Sequence, residues 1–289
     1  MKSKSSLPFQ TAALACLIFA AQPQVSGAQQ HGVPPAASMN GTPSYADIAD
    51  LADASPLVAV ARIRNIIEIP SEQVQNLPAG HRRLYLEADV SGLIRGEGGI
   101  SPRIRYLYDA PLNAKGKTPK LKKAQVILFA RPGGRAGEIQ LVARDAQIPA
   151  TPAAIEKVKA ILSELVANGA PPRIVGLGDA FHVAGTVAGE GETQIFLRTV
   201  NGDPVSLSVL RRPGQDPRWA VALGEIVDEA ARPPAPGSLL WYRLACGLPQ
   251  SLPARSVRSL SPQDAEAART DYAFVIQALG ACDRTRTSL

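Results

Sequence analysis

Three sets of side chains in this sequence have types and spacings that could do chemistry. The first is histidine. The 289-residue chain has three, at positions 31, 81 and 182. Only His182 sits on an apolar segment with a carboxylate close by, in Gly178-Asp179-Ala180-Phe181-His182-Val183. A catalytic imidazole needs a partner that fixes its tautomer and orientation. Asp179 is the candidate orienter, and a serine from elsewhere in the chain would complete a hydrolytic triad. The second set is cationic. Residues 103–123 hold Arg103, Arg105, Lys115, Lys117, Lys120, Lys122 and Lys123 against one acid, Asp109. The third is a cysteine pair, Cys246 and Cys282. Other chemistries are missing from the pattern. The chain has no H-E-x-x-H, no G-x-S-x-G and no G-x-x-x-x-G-K-[ST]. Zinc hydrolysis needs clustered His and carboxylate ligands, the α/β-hydrolase pattern needs its G-x-S-x-G elbow and a P-loop needs its glycine-rich cradle. No metal ligand set and no cofactor is expected.

The compartment decides how the cysteines are read. Residues 1–28 begin with Lys2 and Lys4 and pass through an apolar stretch from about Thr11 to Ala21. They end in Ser26-Gly27-Ala28, with small residues at −3 and −1. Those three parts make a secretory signal peptide, cleaved before Gln29. The apolar stretch is about half the ~20 residues a membrane span needs, and no later segment approaches that length, so no transmembrane segment is expected in the mature chain. Export places Cys246 and Cys282 in an oxidising compartment, where two cysteines predict one disulfide. It also bears on the cations. Losing the signal removes two lysines and no acids, lowering an already modest net charge of +6. An exported, mildly basic protein is a poor candidate for nucleic acid, even with Tyr106 and Tyr108 near the basic run. An anionic envelope component or a protein is the expected kind of partner.

The elements that would position these residues are mostly strands. A composition 45% hydrophobic and 19% charged excludes a disordered chain, and 25 Pro with 24 Gly favour a turn-rich, β-heavy one. Residues 29–43 form a flexible leader. Ser44 caps a short helix that Pro56 ends. Strands are predicted at Leu57–Ile63 and onward to Ile69, then Arg83–Val90, and then at 103–108, where Ile104, Tyr106 and Tyr108 alternate with Arg103, Arg105 and Leu107. More follow at Ala124–Ala130 and Glu138–Ala143, with a turn at Pro132-Gly133-Gly134. The period then changes. Thr151 and Pro152 open a helix whose apolar stripe includes Ile155, Val158, Ile161 and Leu162, with Gly169 at its C-terminal cap. Beyond it come strands at Ala180–Val183 and Thr193–Val200, an Asn201-Gly202 hairpin turn and a strand over Pro204–Leu210. Two further strands are expected at Trp219–Val227 and Leu239–Ala245. A last helix opens at Ser261-Pro262, with Ala265, Ala268, Tyr272, Val275, Ile276 and Leu279 on its apolar face.

From Tyr45 to Leu165 the order of elements resembles the OB-fold barrels of the netrin and TIMP-like type. The likeness rests on Leu57-Val58-Ala59-Val60-Ala61, on Val90-Ser91-Gly92-Leu93-Ile94-Arg95-Gly96-Glu97 and on Val126-Ile127-Leu128-Phe129 before a glycine turn. The resemblance implies a barrel but not the inhibitory chemistry. TIMP-type inhibitors chelate zinc through a cysteine at the mature N-terminus, and here that residue is Gln29. The whole chain looks like an exported bacterial protein.

The expected fold is therefore a β-rich α+β chain: an OB-like β-barrel domain with a flanking helix at 44–169, then a second β-rich domain with a C-terminal helix at 173–289. The expected function is that of an exported, non-enzymatic binding or structural protein of the cell envelope, periplasmic or secreted. The alternative is a periplasmic hydrolase with a site around His182.

Overall fold

In the computed structural model, residues 43–224 and 232–286 are described. The expected signal segment and all of the expected leader but Pro43 lie outside them. The first sheet has six antiparallel strands: β1 (Leu57–Glu68), β2 (His81–Arg95), β3 (Arg103–Pro111), β4 (Gln125–Pro132), β5 (Ile139–Leu141) and β6 (Gln147–Pro149). They are ordered β3-β2-β1-β4-β5, and β6 also pairs with β4. The alternation of β3 is obeyed: Ile104, Tyr106 and Tyr108 are buried, while Arg103 and Leu107 are exposed. Val126 to Ala130 of β4 are all buried, as a continuously apolar central strand requires. The Tyr106 hydroxyl donates to Gln147 Oε1 at 2.7 Å, so this buried tip keeps a partner.

The strip of strands curls until its ends meet. The Arg105 N–H donates to the Gly137 carbonyl at 2.8 Å and the Asp109 N–H to the Arg144 carbonyl at 2.9 Å. One parallel bridge, Arg105 to Glu138, joins the edges. Among the described residues no ladder zips β3 to β5 and no closed barrel is seen; of the expected OB-like barrel, the curled antiparallel sheet is present. Closure depends on the turn before β5. A Cβ on Gly133 would lie 2.7 Å from the Glu138 carbonyl oxygen, so this position accepts only glycine.

The second sheet is β7 (Ile174–Ala184), β8 (Gly191–Thr199), β9 (Val205–Arg211) and β10 (Arg218–Ala222), antiparallel in the order β10-β9-β8-β7. Asn201-Gly202 turns β8 into β9, with Gly202 at φ +80°. The inner face carries Ala180, Ile195, Leu197, Leu207, Val209, Trp219 and Val221, all buried. The last helix packs on β7 and β8. Its buried Ala265 and Ala268 allow a close approach, and Tyr272, Val275 and Leu279 fill the space beyond. The chain is thus β-rich α+β, with two antiparallel sheets and four α-helices among the described residues.

Those helices are α1 (Tyr45–Ala54), α2 (Pro152–Val166), α3 (Leu239–Ala245) and α4 (Pro262–Leu279). The caps at Ser44, Thr151 and Ser261 each accept a backbone N–H from the first turn. At the other end of α2 the cap is Ala167, with Gly169 two residues beyond. The expected strand at Leu239–Ala245 is instead α3. A short run of Leu-Leu-Trp-Tyr-Arg-Leu-Ala reads the same in either state by pattern alone. The helix wins because Ser238 Oγ caps the Trp241 N–H at 3.2 Å and Glu164 of α2 accepts the Leu239 N–H at 2.8 Å. The strand expected over Trp219–Val227 ends at Ala222, and residues 225–231 lie outside those described. Cys246, the C-cap of α3, is bonded to Cys282 just beyond α4, with Cα atoms 5.0 Å apart.

Candidate functional site

The basic run does not fold into one patch. Arg103 and Arg105 lie at the start of β3, and the lysines lie on the loop after its end. Six residues of strand, about 20 Å, separate Arg105 from Pro111. The two arginines also face acids that their own stretch of sequence does not contain. Arg103 pairs across the ladder with Asp89, its Nε 3.4 Å from Oδ1, and Arg64 reaches the same carboxylate at 3.2 Å. Arg105 stands opposite Glu87. Opposite charges at such positions stabilise the sheet and cancel much of its field. Asp109, the one acid within the run, is buried and bound by Arg83 at 2.6 and 2.8 Å. Tyr106 and Tyr108 are 2% and 1% exposed, so neither ring is open for a base to stack on.

The lysines are a different case. Lys115, Lys117, Lys120, Lys122 and Lys123 are all exposed, and none forms a salt bridge among the described residues. Their loop is held in shape. Asn113 Oδ1 accepts the N–H groups of Lys115 at 2.9 Å and Lys117 at 3.1 Å, and the Asn113 N–H returns to the Lys117 carbonyl at 2.9 Å. At the far end the Lys123 N–H donates to the Ile63 carbonyl at 2.8 Å. Five unopposed cations are thus displayed on an ordered support.

His182 meets a different carboxylate from the one expected. Asp179 is exposed, and the carboxylate near the ring is Asp271 of α4, 4.0 Å away. Thr193, directly across the ladder from His182, stands between them. Its hydroxyl donates to Asp271 and lies 2.8 Å from His182 Nδ1. Since the hydroxyl hydrogen goes to Asp271, His182 donates from Nδ1–H. Arg211 of β9 completes the group, with Nε on the other Asp271 oxygen. In a hydrolytic triad the imidazole lies between hydroxyl and carboxylate. Here the hydroxyl lies between the other two, and Thr193 is fully buried. The arrangement ties α4 to the sheet rather than exposing a nucleophile. Asp271 lies 89 residues from His182 in sequence, and only the packing of α4 on the sheet brings them together.

A third cluster carries a pattern that sequence reasoning passed over. Helix α1 reads Tyr-Ala-Asp-Ile-Ala-Asp-Leu-Ala-Asp-Ala, with aspartates at 47, 50 and 53 on one face. Each is met by residues from the C-terminal half. Asp47 accepts from the backbone N–H groups of Thr285 and Arg286 at 2.8 and 3.0 Å, and from the Thr285 hydroxyl. Asp50 accepts from Arg284 at 2.6 and 2.9 Å and from the Tyr242 hydroxyl. Asp53 binds Arg243 at 2.8 Å and Arg173 at 2.7 Å. In return, Asp283 accepts the first N–H groups of α1, from Tyr45 and Ala46, both at 3.1 Å. A cavity of about 380 Å³ opens between Asp50, Asp53, Arg173, Tyr242, Cys246 and Arg284, and its charges are already paired with one another.

These contacts set a pH dependence. Burial alone would raise the Asp47 carboxyl. The Thr285 hydroxyl and the N–H groups of Arg286, Thr285 and Ser44 outweigh it and hold the group below its ordinary value. At Asp53 burial is likewise outweighed, by the hydrogen bond and charge of Arg243 and then by Arg173. A carboxyl lowered in the folded state stabilises the fold above its unfolded pKa, and that contribution is lost as pH falls through the folded value. Wild type should therefore exceed an Asp47→Asn, Asp53→Asn double variant in stability at neutral pH. The gap should close as pH drops below about 4, near the unfolded aspartate value. Urea titrations over pH check this, and a gap independent of pH would contradict it.

Compared with protein-family models and with curated proteins, the sequence matches none.

Proposed function

We propose that this chain is an exported, non-enzymatic binding protein of the bacterial cell envelope, which meets an anionic envelope component through the loop between β3 and β4. One observation carries the reading: five exposed lysines within nine residues, unpaired among the described residues, on a loop ordered by Asn113. Each lysine near an anionic surface contributes about 1 kcal/mol, and the attraction is screened by salt. The signal-like residues 1–28 support export. The buried hydroxyl beside His182 supports a non-enzymatic role over the hydrolase alternative.

The same reading takes the first sheet as an OB-like barrel of the netrin and TIMP-like kind. Its support is the order of strands around the curl. From β1 the neighbours run β2, β3, then across the parallel Arg105–Glu138 bridge to β5, then β4 and back to β1. A five-stranded, partly open barrel is the form an OB-fold takes.

The test uses the mature chain and a variant with Gln at 115, 117, 120, 122 and 123. Co-sedimentation with vesicles of phosphatidylglycerol and phosphatidylethanolamine is compared with pure phosphatidylcholine. Wild type should bind the anionic vesicles only, less as salt rises. The variant should bind at least about tenfold more weakly, with stability within about 0.5 kcal/mol of wild type. Equal binding by the two proteins, or binding indifferent to salt, would refute the proposal.

A further inference from the structure

The outer face of the second sheet carries an exposed apolar patch. Six of the eleven exposed large hydrophobic residues, Val175, Phe181, Val183, Val187, Phe196 and Val200, lie on β7, β8 or the turns that follow them. At the centre Phe181 of β7 and Phe196 of β8 are 49% and 39% exposed and meet edge to face, with ring centroids 5.9 Å apart. Val183, 69% exposed, continues the patch along β7. α4 covers the opposite face. Single exposed apolar residues need no explanation, but a contiguous aromatic and aliphatic patch marks a contact surface.

The charges that flank the patch say what fits it. Glu192 and Arg198 stand on the same outward face of β8, on either side of Phe196. Both are exposed, and neither forms a salt bridge among the described residues. They are six residues apart, about 20 Å along the strand. With an acid at one end and a base at the other, the outward face of β8 is complementary to itself when turned end over end; Asp179, exposed on β7, adds one acid level with Phe196. A two-fold axis across β8 midway between them brings Glu192 of each copy to Arg198 of the other. It also lays the Phe181–Phe196 ridges together. The same patch then serves both partners, as an isologous interface requires.

We propose that this face docks a second copy of the chain, β8 against β8 in opposite directions. The mature protein should be dimeric in sedimentation equilibrium across a concentration series. Glu192→Arg alone, or Arg198→Glu alone, places like charges at both ends of the interface. Each should weaken the dimer by about tenfold or more. Carrying both changes on one chain restores opposite charges and should restore the dimer. Phe196→Ser should give a folded monomer by circular dichroism, since the ring is already partly exposed. A monomeric wild type, single reversals without effect, or a double reversal that stays monomeric would each overturn the proposal.

Discussion

Asp271→Asn is expected to destabilise the fold by about 3 kcal/mol, read as a shift in urea midpoint at unchanged slope. Removing one partner of a buried ion pair costs about 3–5 kcal/mol, because the other charge is left without compensation. Asp271 is 1% exposed and accepts from Arg211 and Thr193 at once. The lower end of the range applies because the Arg211 side chain is 33% exposed and can turn to water. Arg211→Gln should cost less for the same reason, and the double variant should cost less than the two single changes together. His182→Ala removes only the outer member of the chain of hydrogen bonds, so it should cost clearly less than Asp271→Asn. If His182→Ala proved the costlier change, the histidine would be central and the structural reading of this cluster would fail.

Opening the Cys246–Cys282 bond is expected to cost about 3–4 kcal/mol. The bond closes a loop with a sequence separation of 36, and closing such a loop removes that much chain entropy from the unfolded state. The effect should be spatially selective. Cys282 immediately precedes the residues that hold α1, from Asp283 at its N-terminus to Arg286 on Asp47 and Asp145. Without the bond this strap is fixed by its polar contacts to α1 and Asp145. Reduction, or paired Cys246→Ser and Cys282→Ser changes, should therefore speed amide exchange at 283–286 and in the first turn of α1 ahead of the sheets. Reactive thiols in the native oxidised protein, or exchange unchanged by reduction, would contradict this.

Features with a local cause were legible in the sequence. The caps at Ser44, Thr151 and Ser261 are written in adjacent residues, as is the alternation of Ile104, Tyr106 and Tyr108. The disulfide was legible from the count of cysteines outside the expected signal segment. What escaped depended on pairing across distance. The basic run read as unopposed because Glu87 and Asp89, which face Arg105 and Arg103, belong to the preceding strand. Asp179 was assigned to His182 because it is near in sequence, whereas Asp271 arrives on a helix folded back over the sheet. The strand expected at Leu239–Ala245 failed because its pattern fits both states and the deciding cap contact comes from Glu164. The aspartate face of α1 did leave a signal, a carboxylate every third residue of a helix, and its partners lie about 120 to 240 residues further on.

The proposed role of the lysine loop in anion binding is best tested by amide exchange of residues 29–289 with and without phosphatidylglycerol-containing vesicles. Protection is predicted over residues 112–123, lost on adding salt, with residues 82–89 and 103–109 unchanged because their charges face opposite charges within the sheet. Protection confined to the Arg103 and Arg105 strand, or protection that persists in high salt, would contradict the account.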